Sequence, residues 1–312
     1  MVATTLATVA LAVASYIAVC GAIAQRFTTS RRQAPLQDVA GVWGAHDVSF
    51  MARDGRARID GWYLAAPASH SAVLFVHGKD ACRGDELKSP TFALARSFAA
   101  AGFAVLMIDL RGHGTSSRAR LTYGATERHD VLGAVDWLRA LGHQRIGVLG
   151  ASMGAATTLL AAADEPAIAA LVLDSAFVDF GLMIQRQYRK LSKLPIFFLP
   201  GALALGRLLT GHDLRRVRPI ECAAALVGRP VLVIHSEGDR FIPAEDALAL
   251  ARASGAELWT TDTTGHLGSF RSAPAAYAER VIGFFSRHLP HVGHAEAAND
   301  AAPTSPAVTL AA

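Results

Sequence analysis

The residues of this chain best suited to covalent chemistry lie in Gly150-Ala151-Ser152-Met153-Gly154. This G-x-S-x-G run follows an apolar stretch, Arg145-Ile146-Gly147-Val148-Leu149, and precedes an alanine-rich helical stretch over 155–163. A serine on a sharp strand-to-helix turn sits in strained backbone geometry. Small neighbours at Gly150 and Gly154 let the turn close, and the helix N-terminus offers backbone N–H groups beside the hydroxyl. The pattern predicts a nucleophile elbow at Ser152. A serine hydroxyl is a weak nucleophile at neutral pH. An imidazole must take its proton, and a carboxylate must fix that ring's tautomer and stabilise its charged form.

Three further segments supply the groups such a serine needs. The apolar run 72–76 ends in His77-Gly78-Lys79-Asp80, where a glycine lets the backbone approach a bound carbonyl. The N–H of Lys79 or Asp80 then joins that of Met153 as an oxyanion hole. A second apolar run, 231–235, is followed by Ser236-Glu237-Gly238-Asp239 and, shortly after, Pro243. Thr264-Gly265-His266 lies in a loop between the strand-like 257–261 and a helical stretch from about Ala273. The expected roles are nucleophile for Ser152, base for His266 and orienting acid for Asp239. Asp174, at the end of another apolar run, is the rival acid. Ser117 and Ser175 read as turn residues, His77 as a group ordering the oxyanion turn, and His129 and His235 as structural.

These stations together resemble the α/β-hydrolase superfamily. The resemblance runs from about Val42 to His288 and rests on His77-Gly78, Asp109-Leu110-Arg111-Gly112-His113-Gly114, the Ser152 elbow, Asp174-Ser175, Gly238-Asp239 and Gly265-His266. The order Ser152, Asp239, His266 is that of the family. The resemblance implies an α/β fold with a mostly parallel eight-stranded sheet, helices on both faces, a helical cap insertion and no cofactor. It is most similar to the membrane-anchored bacterial esterase- and peptidase-like branch. His113 falls in a loop that shapes the pocket in this family. Two departures leave the substrate open: the oxyanion segment reads His77-Gly78-Lys79-Asp80 rather than HGGG, and Ala151 stands where lipase elbows often carry histidine. A serine rather than an aspartate in the elbow disfavours dehalogenase and epoxide-hydrolase chemistry.

The elements that must position these residues are visible independently of the motifs. Apolar runs at 72–76, 103–108, 145–149, 169–173 and 231–234 alternate with helical patterns, as parallel βαβ units do. Asp54-Gly55, between Asp47–Arg53 and Arg58–Ala65, signals an antiparallel hairpin at the start of the sheet. With 312 residues, 52% of them hydrophobic, the chain can bury one large core. Three cysteines, Cys20, Cys82 and Cys222, make neither a disulfide framework nor a metal-ligand spacing. Cys82 reads as a small buried or loop residue. His288, His291 and His294 recur every third residue without a fixed scaffold, so no metal site is expected.

Residues 1–25 read as a transmembrane anchor or a signal peptide, 26–41 as a linker, 42–289 as the catalytic domain and 290–312 as a disordered tail. From Val2 to Gln25 no residue is charged, and as a helix this stretch measures about 36 Å, enough to cross a bilayer core of about 30 Å. Arg26, Arg31 and Arg32 follow it, which by the positive-inside rule puts the catalytic domain in the cytoplasm. Ala22-Ile23-Ala24 resembles a cleavage site, and cleavage would put it outside. The cap is expected at about 178–222, where eight Lys or Arg face three Asp or Glu. A basic, apolar cap beside an anchor suits anionic headgroups and acyl chains; an ordinary cap with a solvated basic face reads the same way. The charge is local and no recognition motif accompanies it, so nucleic acid is not an expected partner. Hydrolysis of an ester, thioester or amide is the expected reaction, on a small-molecule or lipid-like acyl substrate. Acyl transfer and a catalytically silent binding protein are the alternatives.

Overall fold

Strands β3 (Ser71–Val76), β4 (Ala104–Ile108) and β5 (Arg145–Ala151) are almost wholly buried, as their unbroken apolar runs require of strands covered on both faces. The computed structural model describes residues 1–33, 44–66, 69–87 and 90–289. Eight strands form one sheet in the order β1-β2-β4-β3-β5-β6-β7-β8. The others are β1 (His46–Met51), β2 (Arg58–Leu64), β6 (Ile168–Asp174), β7 (Val231–Gly238) and β8 (Glu257–Thr264). β1 and β2 are antiparallel to their neighbours, and every later pairing is parallel. The Asp54-Gly55 turn closes through Ala52 N–H to Ala57 O at 2.8 Å.

The two-residue period of the strands divides the core between two faces. Leu74, Val76, Leu106, Ile108 and Val148 pack on one side with α3 (Arg128–Ala140), α4 (Met153–Ala162) and α8 (Ala244–Ser254). Val73, Phe75, Val105, Met107 and Leu149 pack on the other with α2 (Phe92–Ala100) and α9 (Pro274–His288). After β3 the chain moves to one side for β4 and then returns to the other for β5. The C-terminal ends of β3 and β5 are therefore a topological switch point, where a crevice opens for ligand.

Between β6 and β7 the expected insertion carries α5 (Phe180–Ser192), α6 (Phe198–Thr210) and the short α7 (Ile220–Ala223). Asp179 starts α5 by accepting the N–H of Leu182 at 3.0 Å, and Gly211, at φ 74°, ends α6.

Helix α1 spans Val2–Phe27 and is the one helix among the described residues long and apolar enough to cross a membrane. It has two unlike halves. Val2–Ser15 is exposed on all sides, whereas Cys20, Ile23, Ala24 and Phe27 form a buried stripe at helical spacing. That stripe lies along α6. Gly201 makes the close approach possible, since a Cβ there would stand 2.6 Å from Cys20 Sγ and 2.8 Å from Tyr16 Oη. The helix runs past the expected boundary at residue 25, and Thr28–Gln33 are bonded to the body of the protein rather than loose. Residues 34–41 of the expected linker and the tail 290–312, with His291 and His294, lie outside the described residues.

Candidate active site

Ser152 stands at the turn from β5 into α4 with φ 53° and ψ −115°, a conformation that costs a non-glycine residue about 1–3 kcal/mol. Its surroundings hold it there. Ser152 N–H donates to Asp174 O at 2.8 Å, which ties the elbow to β6. A Cβ at Gly154 would lie 2.2 Å from Val76 O, and one at Gly150 would lie 2.7 Å from Ala155 Cα, so only glycine lets α4 close beneath the strands. Both glycines of the motif are therefore steric necessities, which is why the motif is legible.

His266 reaches the serine from the loop after β8. Its Nε2 lies 2.7 Å from Ser152 Oγ and its Nδ1 lies 2.7 Å from Asp239 Oδ2. With the carboxylate ionised, Nδ1 carries the ring proton and Nε2 accepts from the hydroxyl. Gly265 N–H donates to Gly238 O at 3.0 Å, pinning the histidine loop to the acid loop. The Phe241 ring packs edge-on against the imidazole at 5.2 Å.

Asp239 is fully buried at its side chain, and that burial disfavours its charge. The hydrogen bond and charge of His266, with the N–H groups of Phe241 (2.7 Å) and Ile242 (3.1 Å), outweigh it and hold the carboxyl below its usual range. Asp174, the rival acid, faces elsewhere. It bonds to Ser175 Oγ at 2.9 Å and Tyr277 Oη at 2.9 Å, and burial raises it to about 7.

The turn after β3 passes directly over the serine: a Cβ at Gly78 would stand 3.2 Å from Ser152 Cβ. Lys79 and Met153 both line the cavity above Ser152. Of the two candidate donors in this turn, Asp80 N–H is turned toward His113 Nε2 at 3.4 Å. Two neutral histidines shape the loop. Leu110 N–H donates to His77 Nε2 at 3.0 Å, so the His77 proton sits on Nδ1 and is donated to Gly78 O at 2.7 Å. Burial lowers the pKa of both His77 and His113. Beneath them Asp109 receives the backbone and guanidinium of Arg83, both at 2.7 Å, while Arg111 pairs with Asp54 and Asp130. Cys82 is buried, and that burial raises its thiol to about 12, so it offers no thiolate. His235 is buried and held neutral by that burial.

A cavity of about 700 Å³ opens at Ser152 and His266. Its walls include apolar side chains of the insertion, Met183, Ile184 and Leu191, with Phe177 and Phe241. Tyr123, Phe177 and Phe241 are not singled out by the sequence, although Phe241 lies in the acid loop and Phe177 just beyond Asp174-Ser175. The same cavity is lined by Arg26, Phe27, Thr29, Ser30 and Arg31, from a segment whose composition alone suggests only a tether.

A family model described as the alpha/beta hydrolase fold matches residues 71–198. The uncharacterized protein YqkD of Bacillus subtilis (strain 168) is 30% identical over 190 residues, covering 59% of this chain and 60% of that protein. An uncharacterized 31.7 kDa protein of Escherichia coli, from the traX-finO intergenic region, is 28% identical over 150 residues, 46% of this chain and 51% of its own length. The chain thus spans between half and three-fifths of the curated relatives it matches. Among solved structures, the Pyrococcus furiosus esterase Pf2001 superposes with a TM-score of 0.70 at 22% identity, covering 84% of this chain and 99% of that one. The esterase domain of a Rhodothermus marinus protein gives 0.56 at 19% identity, over 79% and 100%. Together with the sheet order, these likenesses show that the chain has the α/β-hydrolase fold.

Proposed function

We propose that this protein is a serine hydrolase that cleaves a carboxylic ester, thioester or amide through an acyl-enzyme. The observation that carries this reading is the unbroken relay from Ser152 Oγ through the His266 ring to Asp239, with 2.7 Å at each junction. Ser152 Oγ attacks the substrate carbonyl carbon while its proton passes to His266 Nε2. Asp239 holds the imidazolium through Nδ1–H. The carbonyl oxygen, now negative, receives the N–H groups of Lys79 and Met153. As the tetrahedral intermediate collapses, the leaving group departs with the proton from Nε2. Water then attacks the acyl-Ser152 ester, gives its proton to His266, and the carboxylic acid is released as that proton returns to Oγ.

None of these steps requires a cofactor. The cavity above Ser152 is mostly apolar, which suits a small or lipid-like acyl group, and α1 gives the chain a membrane anchor with the catalytic domain on the cytoplasmic side. The test is covalent labelling by a fluorophosphonate probe. The wild-type chain is expected to take up one probe at Ser152, and Ser152→Ala none. A folded chain that takes up no probe would make it a silent member of its fold.

A further inference from the structure

Six hydrogen bonds, from five of the residues 27–32, run between the end of α1 and the loops that form the proposed oxyanion turn and its support. Phe27 O accepts from Tyr123 Oη at 2.8 Å, and Thr28 O from Leu121 N–H at 2.8 Å. Ser30 Oγ donates to Gly112 O. Arg31 N–H donates to Asp80 Oδ1 at 2.8 Å, and Arg32 Nη2 donates to Gly114 O and Ser116 O at 2.6 and 2.7 Å. This stretch is thus clamped residue by residue beside the turn that carries Lys79. We infer that residues 26–31 form one wall of the substrate pocket, and that the pocket takes the acyl chain of a membrane lipid, so that the anchor is part of the binding site.

The span itself sets how near the pocket lies to lipid. A hydrocarbon core of about 30 Å needs about 20 helical residues. The fully exposed half of α1, Val2–Ser15, meets the body of the protein at the end of α6 nearest Tyr16, whose Oη donates to Phe197 O at 3.1 Å. Exposed apolar residues occupy that place: Ile196 and Phe197 are 51% and 57% exposed, and Phe197 stacks on Tyr16 with 6.1 Å between centroids. An aromatic pair beside bare apolar residues is the composition of a membrane interface. From Tyr16 to Phe27 the helix rises about 17 Å, so the pocket wall begins about that far along α1 from the apolar patch.

Charge agrees with this placement. Among the described residues, the guanidinium groups of Arg26 and Arg31, both lining the pocket, have no carboxylate within 4.0 Å, although the main-chain N–H of Arg31 donates to Asp80. Lys193, at the end of α5 and three residues before Ile196, has none either. Three cations at the level where headgroups lie fit an anionic lipid.

The inference rests on the serine-hydrolase reading, and the experiment separates the two. The full chain is reconstituted in vesicles of phosphatidylglycerol or of phosphatidylcholine. Fluorophosphonate labelling, the ratio of kcat/KM for p-nitrophenyl palmitate to that for p-nitrophenyl butyrate, and fatty acid release from the vesicle lipid are then measured. Thr29→Trp, which fills the cavity from the α1 side, is expected to lower the palmitate-to-butyrate ratio at least tenfold. Arg26→Glu, at an exposed position that does not threaten folding, is expected to cut fatty acid release from phosphatidylglycerol at least fivefold and to narrow the preference over phosphatidylcholine. An unchanged ratio in Thr29→Trp that still labels, or vesicle hydrolysis indifferent to Arg26→Glu, overturns the inference while leaving the hydrolase reading intact. If Thr29→Trp no longer labels, the Arg26→Glu result decides. Absence of labelling and turnover in the wild type sinks the hydrolase reading itself.

Discussion

Two regions meet at Ser152 and are built in opposite ways. On the sheet side, Ser152, Asp239 and His266 each follow directly on a strand, and each is fixed by a local turn: the strained elbow, the Gly238 bend and the Gly265 loop. On the α1 side, the pocket wall is assembled by chain segments about 50 to 100 residues apart, joined through main-chain groups and exposed or half-buried side chains. On the proposed reading the sheet side aligns the reacting atoms and the α1 side shapes what reaches them, so that reaction type and substrate choice are carried by separable parts of the molecule.

The largest effects are expected where the relay is broken. Ser152→Ala should lower ester hydrolysis by roughly 10⁴-fold or more, measured as kcat on a short p-nitrophenyl ester. Asp239→Asn keeps the volume but withdraws the charge that stabilises the imidazolium, and should cost about 10³–10⁴-fold in kcat with the fold retained by circular dichroism. Losses below tenfold in either variant would mean that the sheet side does not carry the chemistry.

A smaller effect of a different kind is expected from the other region. Gly201→Val forces α1 off α6, since even one added carbon would stand 2.6 Å from Cys20 Sγ. Hydrolysis of long-chain esters should fall severalfold more than that of short-chain esters. An equal fall on both would show that the two regions are not separable.

What was legible in the sequence follows the same division. The G-x-S-x-G glycines mark their own position because no other residue fits beneath Val76 and Ala155. The buried runs of β3, β5 and β6 read as strands because both sheet faces are covered. Strand ends were less legible: β7 and β8 continue to Gly238 and Thr264, beyond their apolar stretches, because the acid and histidine loops remain paired. Arg26–Gln33 read as a tether because its partners are main-chain groups and the polar atoms of Asp80, Arg120 and Tyr123, which leave no trace in hydrophobic pattern. Asp174 was a reasonable rival to Asp239 by position at a strand end. The contact of Asp239 with His266, and the turn of Asp174 toward Tyr277 inside the core, separate them.

That buried Asp174 also makes the smallest and most specific prediction. Its folded pKa, about 7, lies above the ordinary value of 3.8, so the folded state holds the proton more tightly than the unfolded chain. Its contribution is fully present below about pH 4 and is lost as pH rises toward 7, by on the order of a few kcal/mol at most. Asp174→Asn cannot ionise. Between pH 5 and pH 8 its melting temperature should fall less than that of the wild type. Parallel profiles would mean that Asp174 does not stay protonated in the fold.

The central claim is a covalent ester between the substrate's acyl group and Ser152. Rapid quench of the full chain with a p-nitrophenyl ester, followed by mass analysis of its peptides, tests it most directly. A burst of p-nitrophenol close to one per protein is expected, with an acyl mass on the peptide containing Ser152 that is absent in Ser152→Ala. A burst with the acyl group on another residue, or undiminished turnover in Ser152→Ala, would contradict it.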